Sequence, residues 1–406
     1  MKKNLVVGQS GGPTSAINSS LAGVIKAGLE SQNIVEVIGV RYGIEGILNE
    51  NFVSLSKFSD EKMLDLLIQT PSAYLGSCRK KLPDVSENQE MYDKIFDVFE
   101  KNNIGYFFYI GGNDSMDTVN KLSLYAKEKN YDIKVIGIPK TIDNDLYKTD
   151  HTPGFGSAAK FVANSVKQIS HDNNVYDMDS VTIVEIMGRN AGWLAASAVL
   201  ANDESVSADI ICLPEISFDM DKLIGKINEK VKEKRTVVVA LSEGVKDCKG
   251  KYLCEYVSKT AEQTDIFNHK QMGGAGKCLE NYIKDDLGYK VRTVELSSLQ
   301  RCFSYSGSKD DFESGFKIGY EGVKKALEGV TGVMMAFNRI SDEPYEYEIT
   351  YADVNEVANF EKMVPIDMIT DDGFGLNEKF IKYAKPLISG EFIPQTENGI
   401  IKTLRV

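Results

Sequence analysis

Two short runs hold the residues whose types and spacing could do chemistry. Tyr109-Ile110-Gly111-Gly112-Asn113-Asp114-Ser115 ends an apolar stretch in paired glycines and opens into an acidic one. Pro139-Lys140-Thr141-Ile142-Asp143-Asn144-Asp145 places one lysine and two aspartates directly after another β-branched stretch. A glycine turn lets backbone N–H groups come close to a phosphate, and a following helix start favours the anion. A lysine supplies point charge to phosphoryl oxygens. An aspartate can accept the proton of an attacking hydroxyl. Together these types describe a phosphoryl-transfer site.

The elements that must position these residues can be read from the apolar pattern. Strands are predicted at 4–8, 35–41, 104–110, 133–138, 180–187, 208–213, 236–242, 291–297 and 332–338. Helices are predicted at 14–30, 59–69, 88–102, 115–128, 157–170, 190–201, 218–233, 252–264, 309–327 and 375–385. Near-continuous apolar runs such as Tyr106–Ile110 and Thr236–Leu241 suit strands buried on both faces. Strand and helix alternate, so the expected fold class is α/β, with two doubly wound parallel-sheet domains and a C-terminal extension. Ligands of such sheets bind beyond the carboxyl ends of the strands, where each motif falls. The expected division is a first α/β domain at 1–150, completed by part of 307–355, a second at 151–306, and an extension at 352–406. The boundary near 145–156 rests on the Pro153-Gly154-Phe155-Gly156 interruption.

Bulk properties narrow the field. A chain of 406 residues favours two domains. Its net charge of -12 argues against nonspecific nucleic-acid binding, yet local arginines can still receive anions. No apolar run reaches the roughly 18 residues of a membrane span. The opening Met1–Gly8 reads as a first strand and not a secretory leader, because Gln9-Ser10-Gly11-Gly12 interrupts it. The six scattered cysteines form no CxxC pair and read as thiols of a reduced cytoplasm, the expected location. With three histidines and no HExxH, a structural zinc site is not expected.

Further motifs are weaker alone. Gly8-Gln9-Ser10-Gly11-Gly12-Pro13-Thr14-Ser15 opens a helix and offers an anion site, though a plain βα turn also uses Gly and Ser. Asp114 would serve equally as a helix cap. Glu185-Ile186-Met187-Gly188-Arg189 ends a strand with glycines on both sides of the arginine, counting Gly192. Arg292 and Arg301 could hold a sugar phosphate by bidentate contacts, or be surface ion pairs. Gly154–Ala159 mimics a dinucleotide fingerprint without a preceding strand, and Gly273–Cys278 lacks the spacing of a P-loop.

In order along the chain, SGGPTSAIN (10–18), LGSCR (75–79), GGNDS (111–115), PKTIDND (139–145), TPGFGSA (152–158), EIMGR (185–189), SEG (242–244) and the Arg292–Arg301 pair resemble the phosphofructokinase family over roughly residues 4–340. The resemblance implies phosphoryl transfer to the 1-hydroxyl of fructose 6-phosphate, with Mg2+, in glycolysis or gluconeogenesis. It implies Asp143 as general base, with Thr141 and Ile142 in the same substrate loop. Met187, Gly188 and Arg189 would hold the sugar and brace the transition state, and Glu243 would bind sugar hydroxyls. Arg292 and Arg301 would hold the sugar 6-phosphate, one commonly lent by a neighbouring subunit, hence a homodimer or homotetramer. Gly11 and Arg79 match donor-phosphate contacts.

The donor is argued from two positions. Family members that use ATP carry GGDGS and a glycine before the threonine of the later loop. Here Asp114 and Lys140 stand at those places. A carboxylate at Asp114 would repel a nucleotide α-phosphate, and Lys140 would stabilise a leaving phosphate. Both resemble the pyrophosphate-dependent branch. ATP as donor, and a non-catalytic regulatory subunit or sugar-phosphate sensor, stand as alternatives. Asn113 replaces an aspartate that helps hold Mg2+, so it is a weaker metal ligand and nearby carboxylates are expected to assist. Ser298 stands where a histidine is common near the sugar phosphate, and Ser180 replaces an arginine. Leu21 and Ile25 replace arginines of the bacterial effector site, so nucleotide-type allosteric control is not expected.

Overall fold

The protein, seen here as a computed structural model, is described over residues 2–256 and 274–405. The predicted helix at 252–264 lies largely outside those residues. What is described of it is a single 3-10 turn, Leu253–Tyr256.

The elements of the first half are β1 (Lys3–Gln9), α1 (Ile17–Glu30), β2 (Ile34–Val40), α2 (Gly43–Leu48), β3 (Phe52–Ser54), α3 (Glu61–Gln69), α4 (Gln89–Lys101), β4 (Ile104–Gly111), α5 (Asn113–Lys129), β5 (Lys134–Pro139) and α6 (Phe155–Asn173). There follow β6 (Ser180–Ile186), α7 (Trp193–Ala196), β7 (Ile210–Cys212), α8 (Met220–Lys234), β8 (Thr236–Ser242), α9 (Ala275–Leu287), β9 (Lys290–Glu295), α10 (Leu299–Cys302), β10 (Gly307–Ser308), α11 (Lys309–Leu327), β11 (Val333–Asp342), β12 (Tyr345–Asp353) and α12 (Glu378–Ala384).

Two sheets organise them. The larger has the order β12-β11-β5-β4-β1-β2-β3, parallel through its centre with an antiparallel strand at each edge. The smaller, β7-β8-β6-β9, is parallel throughout. Apolar runs without polar alternation need cover on both faces. Two such runs, Leu5–Val7 in β1 and Val237–Leu241 in β8, are accordingly buried along their whole length in interior strands of these sheets. β1 pairs with both β2 and β4, so the strand order reverses there, which is where an open α/β sheet leaves a crevice.

α1 and α11 cover one face of the larger sheet at unusually close range. A Cβ on Gly23 would meet Phe316 O at 2.0 Å, and one on Gly319 would meet Ser20 O at 2.1 Å. The glycines are what allow the two backbones to touch. Leu21 and Ile25 are wholly buried at this level, as apolar core and not as an effector surface.

Sequence reading and structure differ in several places. Residues 190–192 are loop, and the helix predicted at 190–201 is only α7 followed by a 3-10 segment, Ser197–Ala201. α2 and α9 are not among the predicted helices. The strand predicted at 332–338 extends into a hairpin, β11–β12, that edges the larger sheet. The extension after 352 is not an appendage. Val354, Val357 and Ala358 join the core on one face of the larger sheet. Val364, Ile369, Leu376, Phe380, Ala384 and Leu387 close a face of the smaller one. The cysteines form no disulfide among the described residues, and four of the six are buried. Among the described residues no helix is long and apolar enough to cross a membrane.

Candidate active site

The loops after β1, β4 and β5 lie side by side, because those strands are neighbours in the larger sheet. The loops after β8, β6 and β9 are likewise adjacent in the smaller one. The two loop clusters face each other, and the charged residues of the motifs interact across the space between.

On the side of the larger sheet the glycine turn after β1 is braced by the segment at 75–79. Gly11 sits at φ 73°, a conformation that glycine adopts without strain. Its N–H donates to Cys78 O at 3.2 Å and its carbonyl accepts from Ser77 Oγ at 2.6 Å. The LGSCR segment, which carries Arg79, is thereby tied to the turn. Lys140 leaves the end of β5, its N–H bonded to Gly111 O at 3.0 Å, and its Nζ donates to Gly12 O at 2.6 Å. A Cβ on Gly11 would stand 3.4 Å from that Nζ. The lysine is 2 % exposed. Burial, with help from Arg301 and Arg79 and against the pull of Asp143 and Asp145, lowers its pKa to about 7. An ammonium whose hydrogen bond goes to a neutral carbonyl is suited to an arriving polyanion.

Asp114 opens α5, half-exposed, and pairs at 3.7 Å with Lys81. Lys81 carries no signature in the sequence, where it is one lysine of a basic pair. Asn113 is placed differently from the expectation. Its Nδ2 donates to Phe360 O at 2.6 Å, and its Oδ1 accepts from Asn359 N, also at 2.6 Å. Both ends of the amide therefore hold the backbone of the C-terminal segment, and the oxygen does not stand open as a metal ligand.

The loop after β5 is shaped locally. Asp143 N–H donates to Thr141 Oγ1 at 3.1 Å, and Thr152 Oγ1 donates to Thr141 O at 2.8 Å. Ile142 turns inward, 7 % exposed, into the core against the smaller sheet, so its side chain packs and does not face a substrate. Asp143 lies among charges of both signs. Burial and the Glu243 carboxylate raise it to about 6, Lys140 and Arg189 pull it down, and Glu361 adds to the rise. Asp145 is raised to about 7 by burial, by Asp143 and by Glu361.

On the side of the smaller sheet Gly188 turns the chain at φ 136°, and the Arg189 charge that follows acts on Asp143. Glu243 Oε1 accepts from Gly188 N at 3.4 Å, and Met187 N donates to Gln300 Oε1 at 3.1 Å. Burial raises Glu243 to about 7. Arg189 Nε is buried and finds no partner among the described residues, a donor left for an anion. Arg301 points toward the donor turn, where its Nη1 would lie 3.7 Å from a Cβ on Gly12. Arg292 does not join it. It lies mid-strand in β9, exposed, donating to Asp172 at 2.6 Å and to Thr182 Oγ1 at 3.2 Å. The two arginines are not brought together within one chain. Ser298 is exposed at the start of α10.

Two further acidic residues lie outside every sequence motif. Glu361 reaches the loop after β5 from the C-terminal segment and accepts from Asn190 Nδ2 at 2.7 Å. Glu215 accepts from Gly192 N at 2.8 Å and from Val364 N at 2.9 Å. Only the tertiary path brings them in. Among the described residues no group of three or more His, Cys, Asp or Glu side chains is arranged to hold a metal ion by itself.

The larger sheet thus brings a glycine turn, a buried lysine and an aspartate together, and the smaller sheet sets an arginine and a glutamate opposite them. Residues 4–296 match the family described as phosphofructokinase, and the chain belongs to that family. It is 40% identical over 402 residues to a pyrophosphate–fructose 6-phosphate 1-phosphotransferase of Methylococcus capsulatus, covering 98% of this chain and 94% of that one. It is 41% identical over 391 residues to the enzyme of the same name from Xanthomonas campestris pv. campestris, covering 96% and 92%. The crystal structure of a pyrophosphate-dependent phosphofructokinase from Nitrosospira multiformis superposes with a TM-score of 0.90 at 37% identity, covering 100% of this chain and 96% of that one.

Proposed function

We propose that this enzyme transfers a phosphoryl group reversibly from pyrophosphate to the 1-hydroxyl of fructose 6-phosphate, giving fructose 1,6-bisphosphate and phosphate. The observation that carries this reading is the position of Asp143. It lies in a loop between a buried lysine that faces the glycine turn and an arginine–glutamate pair from the opposite sheet. A hydroxyl bound on the second side and a phosphate bound on the first would meet at that carboxylate.

Each residue then has a defined task. Gly11, the neighbouring backbone and Arg79 receive the donor. Lys140 neutralises the phosphate that leaves, so its charge is worth most in the transition state. Asp143 takes the proton of the 1-hydroxyl. Arg189 braces the transferring phosphoryl, and Glu243 with the 187–188 backbone orients the sugar. Arg301, expected on the sugar 6-phosphate, instead adds positive charge between the glycine turn and Glu243. Arg292, facing away from this cleft, suits the cleft of a second subunit, which supports a homodimer or homotetramer. The carboxylate chemistry fits a hard cation. Asp145, buried among like charges beside Asp143, would hold Mg2+. That ion supplies neutralisation of phosphate charge when bound.

Asp114 supports pyrophosphate over ATP. Its carboxylate and the Lys81 partner occupy the helix start that an α-phosphate would need. The test is initial rate with fructose 6-phosphate and Mg2+, with pyrophosphate or ATP at matched concentration, on wild type and Asp114→Gly. Turnover confined to pyrophosphate in the wild type is the expected result. Turnover with ATP alone would overturn the donor assignment and leave the sugar site intact. Silence with both would favour a non-catalytic sensor.

A further inference from the structure

One segment of the chain touches the loops of the site and belongs to none of the motifs. Residues 354–358 are seated on the larger sheet and 364–387 on the smaller, so 359–363 is the crossing between them. That crossing runs along the catalytic loop. Lys362 N donates to Asp145 O at 2.7 Å, and Glu361 bridges to Leu146 in antiparallel fashion. Lys362 Nζ directs its three donors to three oxygens of one neighbourhood: Asp150 O at 2.7 Å, Thr149 O at 3.1 Å and Asn144 Oδ1 at 3.4 Å. In the other direction Lys362 O accepts from Trp193 Nε1 at 2.7 Å, and Glu361 accepts from Asn190, the residue after Arg189.

Asn144 is where these contacts converge. It separates Asp143 from Asp145 and sits at φ 54°, a left-handed conformation that costs a non-glycine residue free energy unless its surroundings enforce it. The backbone there sets the direction in which both flanking carboxylates leave the chain. The amide that stabilises this turn is gripped at both ends by the C-terminal segment. Lys362 holds Oδ1, and Nδ2 donates to Tyr383 Oη at 2.8 Å. Tyr383 Oη in turn donates to Asp150 O at 2.6 Å, so its one hydroxyl proton is engaged. The ring lies tilted against Trp193, 5.0 Å between centroids, and 4.5 Å from the Arg339 guanidinium.

We infer that Lys362 and Tyr383 are positioning residues for the reaction: they clamp Asn144 and so fix the Asp143 carboxylate relative to Arg189 on the opposite sheet. The inference rests on the reading of Asp143 as the base. It adds that the C-terminal segment is part of the catalytic unit. Neither residue reaches the reacting atoms. Their contribution is geometric, and a shift of about 1 Å at a reacting group is enough to cost roughly a hundredfold in rate.

The experiment uses Tyr383→Phe, which keeps the ring and removes only the hydroxyl, together with Lys362→Met, Asn144→Gly and the double variant Asn144→Gly/Tyr383→Phe. Turnover is measured with both substrates varied, and amide hydrogen exchange of residues 141–150 is followed by mass spectrometry. Tyr383→Phe should lower kcat about tenfold to a hundredfold, with KM for each substrate changed by less than about threefold. Exchange in the loop should speed up while the global unfolding midpoint moves little. In the Asn144→Gly background the tyrosine change should lower kcat no further, since the amide it acts through is gone. Additive losses in kcat, or unchanged kcat and unchanged loop exchange in Tyr383→Phe and Lys362→Met, would overturn the inference. The exchange measurement needs no substrate. A wild type silent with pyrophosphate but with loop exchange sensitive to Tyr383→Phe would sink the assigned reaction and leave the clamp standing.

Discussion

Donor binding should take up a proton at Lys140. Burial holds this ammonium near pH 7, well below its ordinary range, and its hydrogen bond goes to a neutral carbonyl, Gly12 O. A bound phosphate would place negative charge against it and return the pKa toward its ordinary value. At pH 8 only about one-tenth of donor-free sites would carry the proton, so binding to the charged form includes a protonation penalty of about 1.4 kcal/mol, or about tenfold in affinity, for each pH unit above 7. The sign is fixed: a lowered lysine loses affinity for an anion as pH rises. Calorimetric titration of the donor at pH 8 in two buffers of different ionisation enthalpy should show uptake of nearly one proton per site beyond that of the Lys140→Met variant. Comparison with this variant cancels the ionisation of pyrophosphate. Lys140→Met should also lower kcat by about a hundredfold to a thousandfold, the cost of one preorganised charge removed from a developing anion. Parallel pH profiles for wild type and variant between pH 7 and 9 would refute the argument and show that Lys140 is protonated before the donor arrives.

Three other outcomes follow from named contacts. Asp143→Ser should reduce turnover about a hundredfold to ten-thousandfold with fructose 6-phosphate KM little changed, and normal turnover would remove Asp143 from the base role. Gly319→Ala drives a methyl into Ser20 O, a contact of 2.1 Å before relaxation, and should destabilise the fold by about 1–3 kcal/mol in denaturant titration despite alanine's better helix propensity; a stabilised variant would show that α1 and α11 can separate freely. Asp150 is opposed by burial, yet hydrogen bonds from His151 and Arg339 hold it at about 2, so it contributes stability that is complete above its ordinary value near 4 and disappears as pH falls from about 4 to about 2. The linkage is about 2.5 kcal/mol, and acid-unfolding curves of wild type and Arg339→Met should converge across that window.

How much of this was legible in the sequence depended on whether a residue acts near its own motif. The glycine turns, Lys140, Asp143, Arg189 and Glu243 all follow strands directly, so their positions came with the sheet. Once β-branched runs alternate with helices, the carboxyl ends of the strands become the site. Arg301 and Arg292 were readable as anion ligands, but not that one faces this cleft and the other faces outward. Their separation follows from where each leaves the chain: Arg292 lies within β9, and Arg301 lies beyond its end, in α10. Asn113 escaped a correct reading for a related reason. Its type and place suggested a metal ligand, while its partner, the backbone at 359–360, lies far along the chain and carries no signature.

The stretch after 352 resisted reading because its apolar residues serve two different cores in turn, so no single period runs through it. That same division explains its consequence. A chain segment rooted on both sheets must cross the cleft between them, and a cleft lined by buried carboxylates and unpaired donors leaves few places for backbone to pass. The crossing found here satisfies its own polar groups on the catalytic loop: Lys362 N on Asp145 O, its ammonium on Thr149 and Asp150 carbonyls, and its carbonyl on Trp193. Because the loop is thus paired with a segment anchored in both halves, a movement that opens the cleft must either carry Asp143 with it or break those bonds. The loop that carries Asp143 is therefore tied through residues 359–363 to both sheets, a link that none of the sequence motifs contains.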